Sequence, residues 1–170
     1  MKYVNTGTVL NMETFMKFGK YQTLVSSLAA ACGIIVSWAA SAETTAQDAS
    51  DYRKSVMTTL KGHIGASSMH VRGLVDGKEF LVKHAQGLEN GASELATLFA
   101  AGSNVEDSDA LPVIWEEPDE FAAAIDKLIV ATQKFTDAAE SGDMAAISAA
   151  FRDVGGSCRG CHDKFRVPQD

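Results

Sequence analysis

Two thiols and an imidazole lie within five residues near the end of this 170-residue chain, at Cys158, Cys161 and His162. The spacing Cys-x-x-Cys-His is compatible with three chemistries: covalent haem attachment with an axial histidine, zinc binding, or dithiol redox exchange. On a helix, residues three and four apart share a face, so all three side chains would point the same way. Haem attachment uses the complete set, because two thiols can bond the two vinyl groups while the imidazole ligates the iron.

The zinc and dithiol interpretations have less support in the sequence. A zinc site needs two further soft ligands, and the available histidines, His63, His70 and His84, form no closely spaced pair. A thioredoxin-type Cys-x-x-Cys follows a strand in an α/β pattern, whereas this motif lies in a helical pattern. We therefore expect one covalently attached haem c per chain, with His162 as an axial ligand of the iron.

Four helical segments are expected to position the motif, because apolar residues recur at steps of three and four from residue 46 onward. The predicted helices are 46–74, 78–99, 119–140 and 143–166. Asp143 is the expected N-cap of the last one, and Ile114 and Trp115 in the loop 100–118 are expected to contact the core. Abundant alanine, only three prolines and the lack of an alternating strand pattern favour an all-α protein, an antiparallel four-helix bundle.

Residues 1–42 have the features of an export signal. Lysines precede an apolar stretch over 24–40, and Ala40-Ser41-Ala42 provides the small residues that signal peptidase cleaves. We expect cleavage after Ala42, which leaves 43–170 as a single domain without a membrane element. An uncleaved anchor helix is the alternative, although a stretch of about 17 residues is at the short end for crossing a bilayer.

Charge and motif content exclude several classes of function. The net charge of −7 argues against a nucleic-acid partner, since phosphate binding favours a basic face. The sequence contains neither a nucleophile-and-base constellation nor a phosphate-binding glycine loop, so we do not expect an enzyme.

The segment 154–166, which contains the Cys-Arg-Gly-Cys-His run, resembles the class II cytochromes c, a family that includes cytochrome c′ and its low-spin relatives. The segments 52–57, 62–63 and 112–115 are similar to that family as well, so the likeness covers essentially all of 46–167. The resemblance implies a four-helix bundle with haem between the first and last helices and a periplasmic location. It also implies that a homodimer could form through the first two helices.

The resemblance further implies a haem environment. Met57 matches the first-helix position on the distal side of the haem, where a methionine ligates iron in the low-spin branch; in cytochrome c′ this position is apolar and the iron five-coordinate. A methionine on an apolar helix stripe is also commonly a core residue. Arg53 matches an arginine near the haem edge, either pairing with a propionate or lying on the surface. Arg166 matches a basic residue near the proximal face, either shaping the field around the axial histidine or lying in solvent at the helix C-terminus, where the dipole favours a cation.

Together these features predict a periplasmic one-electron carrier that exchanges electrons with periplasmic redox partners. The alternative is a five-coordinate cytochrome c′ that binds a diatomic gas, NO or CO. The choice depends on whether Met57 ligates the iron, which the sequence leaves open.

Overall fold

The computed structural model describes residues 44–169, and the regular secondary structure in that range is helical. The α-helices are α1 (Ala46–Val71), α2 (Lys78–Glu94), α3 (Val113–Glu116), α4 (Pro118–Ser141) and α5 (Met144–Phe165). The four long helices form the predicted bundle, and α3 is a single turn. No helix within 44–169 is long and apolar enough to cross a membrane. The predicted signal segment lies outside the described residues.

Polar side chains and special backbone positions fix the helix ends. The Thr45 hydroxyl accepts a hydrogen bond from the Asp48 N–H at 3.1 Å and caps α1. Asp143 accepts from the N–H groups of Ala145 and Ala146, which confirms it as the N-cap of α5. Gly142 ends α4 with a φ of 76°, a left-handed conformation that glycine adopts without a steric penalty.

Two predicted helix ends were too long. The first helix ends at Val71 instead of 74, because Gly73 turns left-handed at φ 67° and the Leu74 N–H bonds back to the Met69 carbonyl. The second α-helix ends at Glu94, and a 3₁₀ turn (Leu95–Thr97) follows it instead of regular helix to 99.

The hydrophobic core is formed mainly by α2, α4 and α5. Phe121 packs edge-on against Phe99 at 4.7 Å and against Phe165 at 5.1 Å between ring centroids. Ile114 is buried and Trp115 packs beside it, as predicted for the loop. Phe80 is 51% exposed, because it lies in the first turn of α2 at the end of the bundle.

Helix α1 packs differently from the other long helices. It packs on α2 along its length and meets α5 at only a few positions. Its buried residues are Ser50, Arg53 and Ser67. Its apolar stripe stays half-buried against the edge of the core, and its members are Val56, Met57, Leu60, Ile64 and Val71.

The loop before α3 is tied to the end of the chain. Ala110 and Arg166 form an antiparallel β-bridge. Beside it, the Leu111 N–H donates to the Phe165 carbonyl at 3.0 Å, and the Val167 N–H donates to the Asp109 carbonyl at 2.8 Å. The residue that follows α5 is therefore held against this loop.

Candidate functional site

The last helix positions the thiols and the imidazole together, as the spacing predicted. Cys158, Cys161 and His162 are all half-buried on α5, and the two cysteines pack against the core. They continue the face that buries Val154 and Phe165. Because this face points into the bundle, both thiols can bond a planar apolar ligand that lies against it.

Burial disfavours the thiolate form of both cysteine side chains. It raises the pKa of the Cys158 thiol, and burial together with the neighbouring Cys158 raises the pKa of Cys161 to about 11. Metal ligation and disulfide exchange require the thiolate, so this environment disfavours the zinc and dithiol interpretations.

His162 lies in surroundings that favour the neutral imidazole. Burial is the largest cause that lowers its pKa, the nearby Arg166 lowers it further, and Asp163 opposes the shift. The neutral ring has a free lone pair, which is the form that ligates iron. The Nε of Arg166 is itself buried and has no hydrogen-bond partner among the described residues. A buried donor without a partner is costly, so an acceptor on a bound group would stabilise this end of the site.

Of the two methionines on α1, only Met57 faces the bundle. Met57 belongs to the half-buried apolar stripe, whereas Met69 is 38% exposed and its sulfur lies 3.4 Å from the Arg72 guanidinium. The structure therefore leaves Met57 as the α1 thioether that can reach a group between α1 and α5.

Arg53 is 4% exposed, which excludes the alternative of a surface arginine. Its guanidinium donates to the Leu98 carbonyl at 3.0 Å, and to the carbonyl and hydroxyl of Ser103 and the hydroxyl of Ser108, each at 3.2 Å. It lies 4.9 Å from the ring centroid of Phe99. Burial lowers its pKa, and none of the salt bridges between described residues involves it. An anionic group near its free Nε would therefore be favoured, and pairing with a propionate stays a prediction.

One pair of neighbouring histidines was not predicted from the sequence. The Nδ1 atoms of His63 on α1 and His84 on α2 lie 3.1 Å apart although the two residues are 21 positions apart in the sequence. The pair depends on how α1 sits along α2, which neither helix encodes by itself. Gly87 is the residue that could have indicated this close contact, because a Cβ there would lie 2.5 Å from the His63 ring.

A helical bundle that carries Cys-x-x-Cys-His on its last helix has the architecture of a c-type haem protein, and comparisons with known proteins define the family. The family model described as Cytochrome C′ matches residues 48–166. A cytochrome c′ of Rubrivivax gelatinosus is 34% identical over 121 residues, which cover 70% of this chain and 94% of that protein. A cytochrome c-554 of Cereibacter sphaeroides is 46% identical over 72 residues, covering 41% of this chain and 53% of that protein.

Solved structures agree with the sequence relatives. The crystal structure of the Rubrivivax gelatinosus cytochrome c′ has a TM-score of 0.67 at 31% identity, covering 71% of this chain and 96% of that one. A nitric oxide complex of a cytochrome c prime mutant from Alcaligenes xylosoxidans has a TM-score of 0.70 at 28% identity, with 75% and 99% covered. The chain belongs to the cytochrome c′ family, the class II cytochromes c. Like that family, it carries covalently attached haem c.

Proposed function

We propose that this protein is a periplasmic one-electron carrier in which Cys158 and Cys161 bond the haem, His162 is one axial ligand and Met57 is the other. The observation that carries the proposal is the placement of Met57, the α1 methionine that faces the bundle. A thioether opposite an imidazole gives the His/Met coordination typical of electron-transfer cytochromes c and raises the reduction potential.

The other site residues support this role. The two thioether bonds would fix the ring against α5, and the burial that lowers the pKa of His162 favours the neutral imidazole that ligates iron. The apolar stripe of α1 would exclude water from the distal face, and exclusion of water and a fixed geometry limit the reorganisation that electron transfer requires. Arg53 would pair with a propionate at the haem edge, and Arg166 would set the field on the proximal side. Bound haem c supplies the Fe(II)/Fe(III) couple.

Visible spectroscopy of the oxidised and reduced protein tests the coordination directly. We expect a sharp α band in the reduced parent protein, loss of that band together with a lower reduction potential in Met57→Leu, and no change in Met69→Leu. Leucine keeps the size and apolarity of the side chain but removes the sulfur, and Met69 is the matched methionine on the outer face of α1. A reduced parent without a sharp α band would contradict the proposal.

Gas binding is the second candidate function, and the structural relatives favour it. Solved structures of the Alcaligenes xylosoxidans protein include variants with nitric oxide or carbon monoxide bound. In this chain, a Met57 that does not bond the iron would leave an apolar distal face, which admits small uncharged ligands. Titration of the ferrous protein with CO separates the two functions. An electron carrier takes up CO readily only after Met57→Ala, whereas a gas-binding protein takes it up equally in the parent.

Export would follow from cleavage of residues 1–42, and N-terminal sequencing of the haem-loaded protein checks it. We expect the sequence to begin at Glu43. A chain that retains residues 24–40 would instead support an N-terminal anchor.

Exposed apolar side chains at the α1–α2 turn support a homodimer. Leu74, Val75 and Phe80 are 58%, 43% and 51% exposed, and a cluster of this kind is typical of interaction surfaces. Analytical ultracentrifugation should show a dimer for the parent protein and a weaker one for Phe80→Lys. A monomeric parent would exclude this assembly.

A further inference from the structure

Three histidines lie together between α1 and α2. The Nδ1 atoms of His63 and His84 are 3.1 Å apart, and their ring centroids are separated by 5.3 Å. The His70 ring lies 6.3 Å from that of His84. All three side chains are half-buried, so they are sheltered and still reachable from solvent.

One of the two rings donates its Nδ1–H to the other, and the same separation suits a metal ion that takes the place of that proton. Zinc binds histidine nitrogen at about 2.0–2.1 Å in tetrahedral geometry, which places two ligand nitrogens roughly 3.3 Å apart. The observed 3.1 Å is close to that value. Because no three potential ligands converge on one point in the described part of the chain, a third ligand must come from rotation of the His70 side chain, with water completing the tetrahedron.

The surroundings keep an imidazole of this cluster neutral. Burial is the largest cause that lowers the pKa of His84, and His63 and His70 lower it further. No carboxylate contributes a shift in the opposite direction, so nothing stabilises the imidazolium form of His84. Metal binding requires an unprotonated Nδ1 on both rings, so the ring that donates in the hydrogen bond must move its proton to Nε2. Neutral imidazoles make this change without releasing a proton to solvent.

Gly87, which has no side chain, leaves room on α2 for the His63 ring. A Cβ at Gly87 would lie 2.5 Å from two atoms of that ring, closer than side chains tolerate. Gly87 therefore lets the ring lie against α2 with its Nδ1 directed at His84. This close approach makes the pair a defined feature of the helix contact.

We propose that His63, His84 and His70 form a binding site for one divalent transition-metal ion of the imidazole-preferring class, represented by Zn²⁺, which links α1 to α2. Imidazole ligands suit zinc, copper and nickel. The site is separate from the haem ligands of α5, and it does not depend on the coordination of Met57.

Isothermal titration of the haem-loaded protein with zinc chloride at pH 7.5, after removal of bound metals by a chelator, tests the site. We expect one Zn²⁺ per chain and at least a tenfold weaker affinity in His63→Gln and in His84→Gln. His70→Gln should weaken binding several-fold, and equal affinity in that variant would remove His70 from the ligand set. The haem spectrum of each variant reports that the bundle has folded.

Glycine variants give a control that keeps all three imidazoles. Gly87→Ala should displace the His63 ring and weaken Zn²⁺ binding as strongly as His63→Gln. Gly65→Ala should have no effect, because a Cβ at that position has nothing within 4 Å. Equal affinity in the parent and in the His63→Gln/His84→Gln double variant would overturn the proposal, as would a stoichiometry of one Zn²⁺ per two chains.

Discussion

Helices α1 and α4 have similar lengths, 26 and 24 residues, but they bury very different side chains. Helix α4 buries nine residues, among them Phe121, Ile125 and Phe135, whereas α1 buries three, and none of the three is apolar. The difference shows that α4 is specified by packing against protein. The apolar stripe of α1 stays half-buried at the edge of the core, and we propose that the haem completes its packing.

Removal of the haem attachment should show the difference between α1 and α4 most clearly. In a Cys158→Ser/Cys161→Ser variant we expect no covalent haem by mass spectrometry. We also expect the amides of α1 to exchange hydrogen much faster than in the parent, because the stripe loses its packing partner. The amides of α4 should keep more of their protection, and Ser157→Ala serves as the control on the same helix. Equal loss of protection in both helices would contradict the difference between them.

Truncation of apolar side chains should cost more stability in α4 than in α1. Phe135 is fully buried and packs against Phe151 with the two rings tilted, so we expect Phe135→Ala to lower the free energy of unfolding by about 3–5 kcal/mol. Ile64 is half-buried, and Ile64→Ala should cost about 2 kcal/mol or less, near the lower end of the range for buried isoleucine. Urea unfolding of the haem-loaded variants measures both, and equal costs would contradict the comparison.

The one large polar side chain that α1 buries should also be sensitive to substitution. Lysine cannot replace the planar guanidinium at four oxygen acceptors, so Arg53→Lys should cost about 2 kcal/mol through buried acceptors left without a donor. Its exposed neighbour Lys54 pairs with Asp107 at 3.1 Å, and Lys54→Gln should change stability by less than about 1 kcal/mol. Thermal unfolding, followed by circular dichroism, compares the stability of the two variants. A similar loss of stability in both would exclude a special role for Arg53.

The smallest expected effect concerns the helix caps. Asp143 accepts two backbone N–H groups and Thr45 accepts one, so we expect Asp143→Ala to cost about 1–2 kcal/mol and Thr45→Ala about 0.5–1 kcal/mol. Urea unfolding of the two variants measures both losses of stability and ranks them. A larger loss in Thr45→Ala would show that the start of α1 is more firmly packed than its burial indicates.

The sequence predicts the features that depend on local periodicity. The four long helices, the Asp143 cap and the shared face of Cys158, Cys161 and His162 follow from residue spacing within one helix. The features that the sequence does not predict depend on how the helices pack against one another. The burial of Arg53 requires the loop near Ser103, and the His63–His84 pair requires one particular alignment of α1 on α2. Neither is visible within a single helix.

The long-range hydrogen bonds of the loop before α3 indicate the order in which the parts of the bundle form. The hydrogen bonds from Arg53 to Ser103 and Ser108 join residues 50 and 55 positions apart, and the bridge between Ala110 and Arg166 is similarly distant in sequence. Closing such long loops costs more chain entropy than pairing α4 with the adjacent α5. Both ties should therefore form late, after the helical hairpins. The two thiols of α5 then stay accessible on a partly folded chain until the first helix and the final residues close over them.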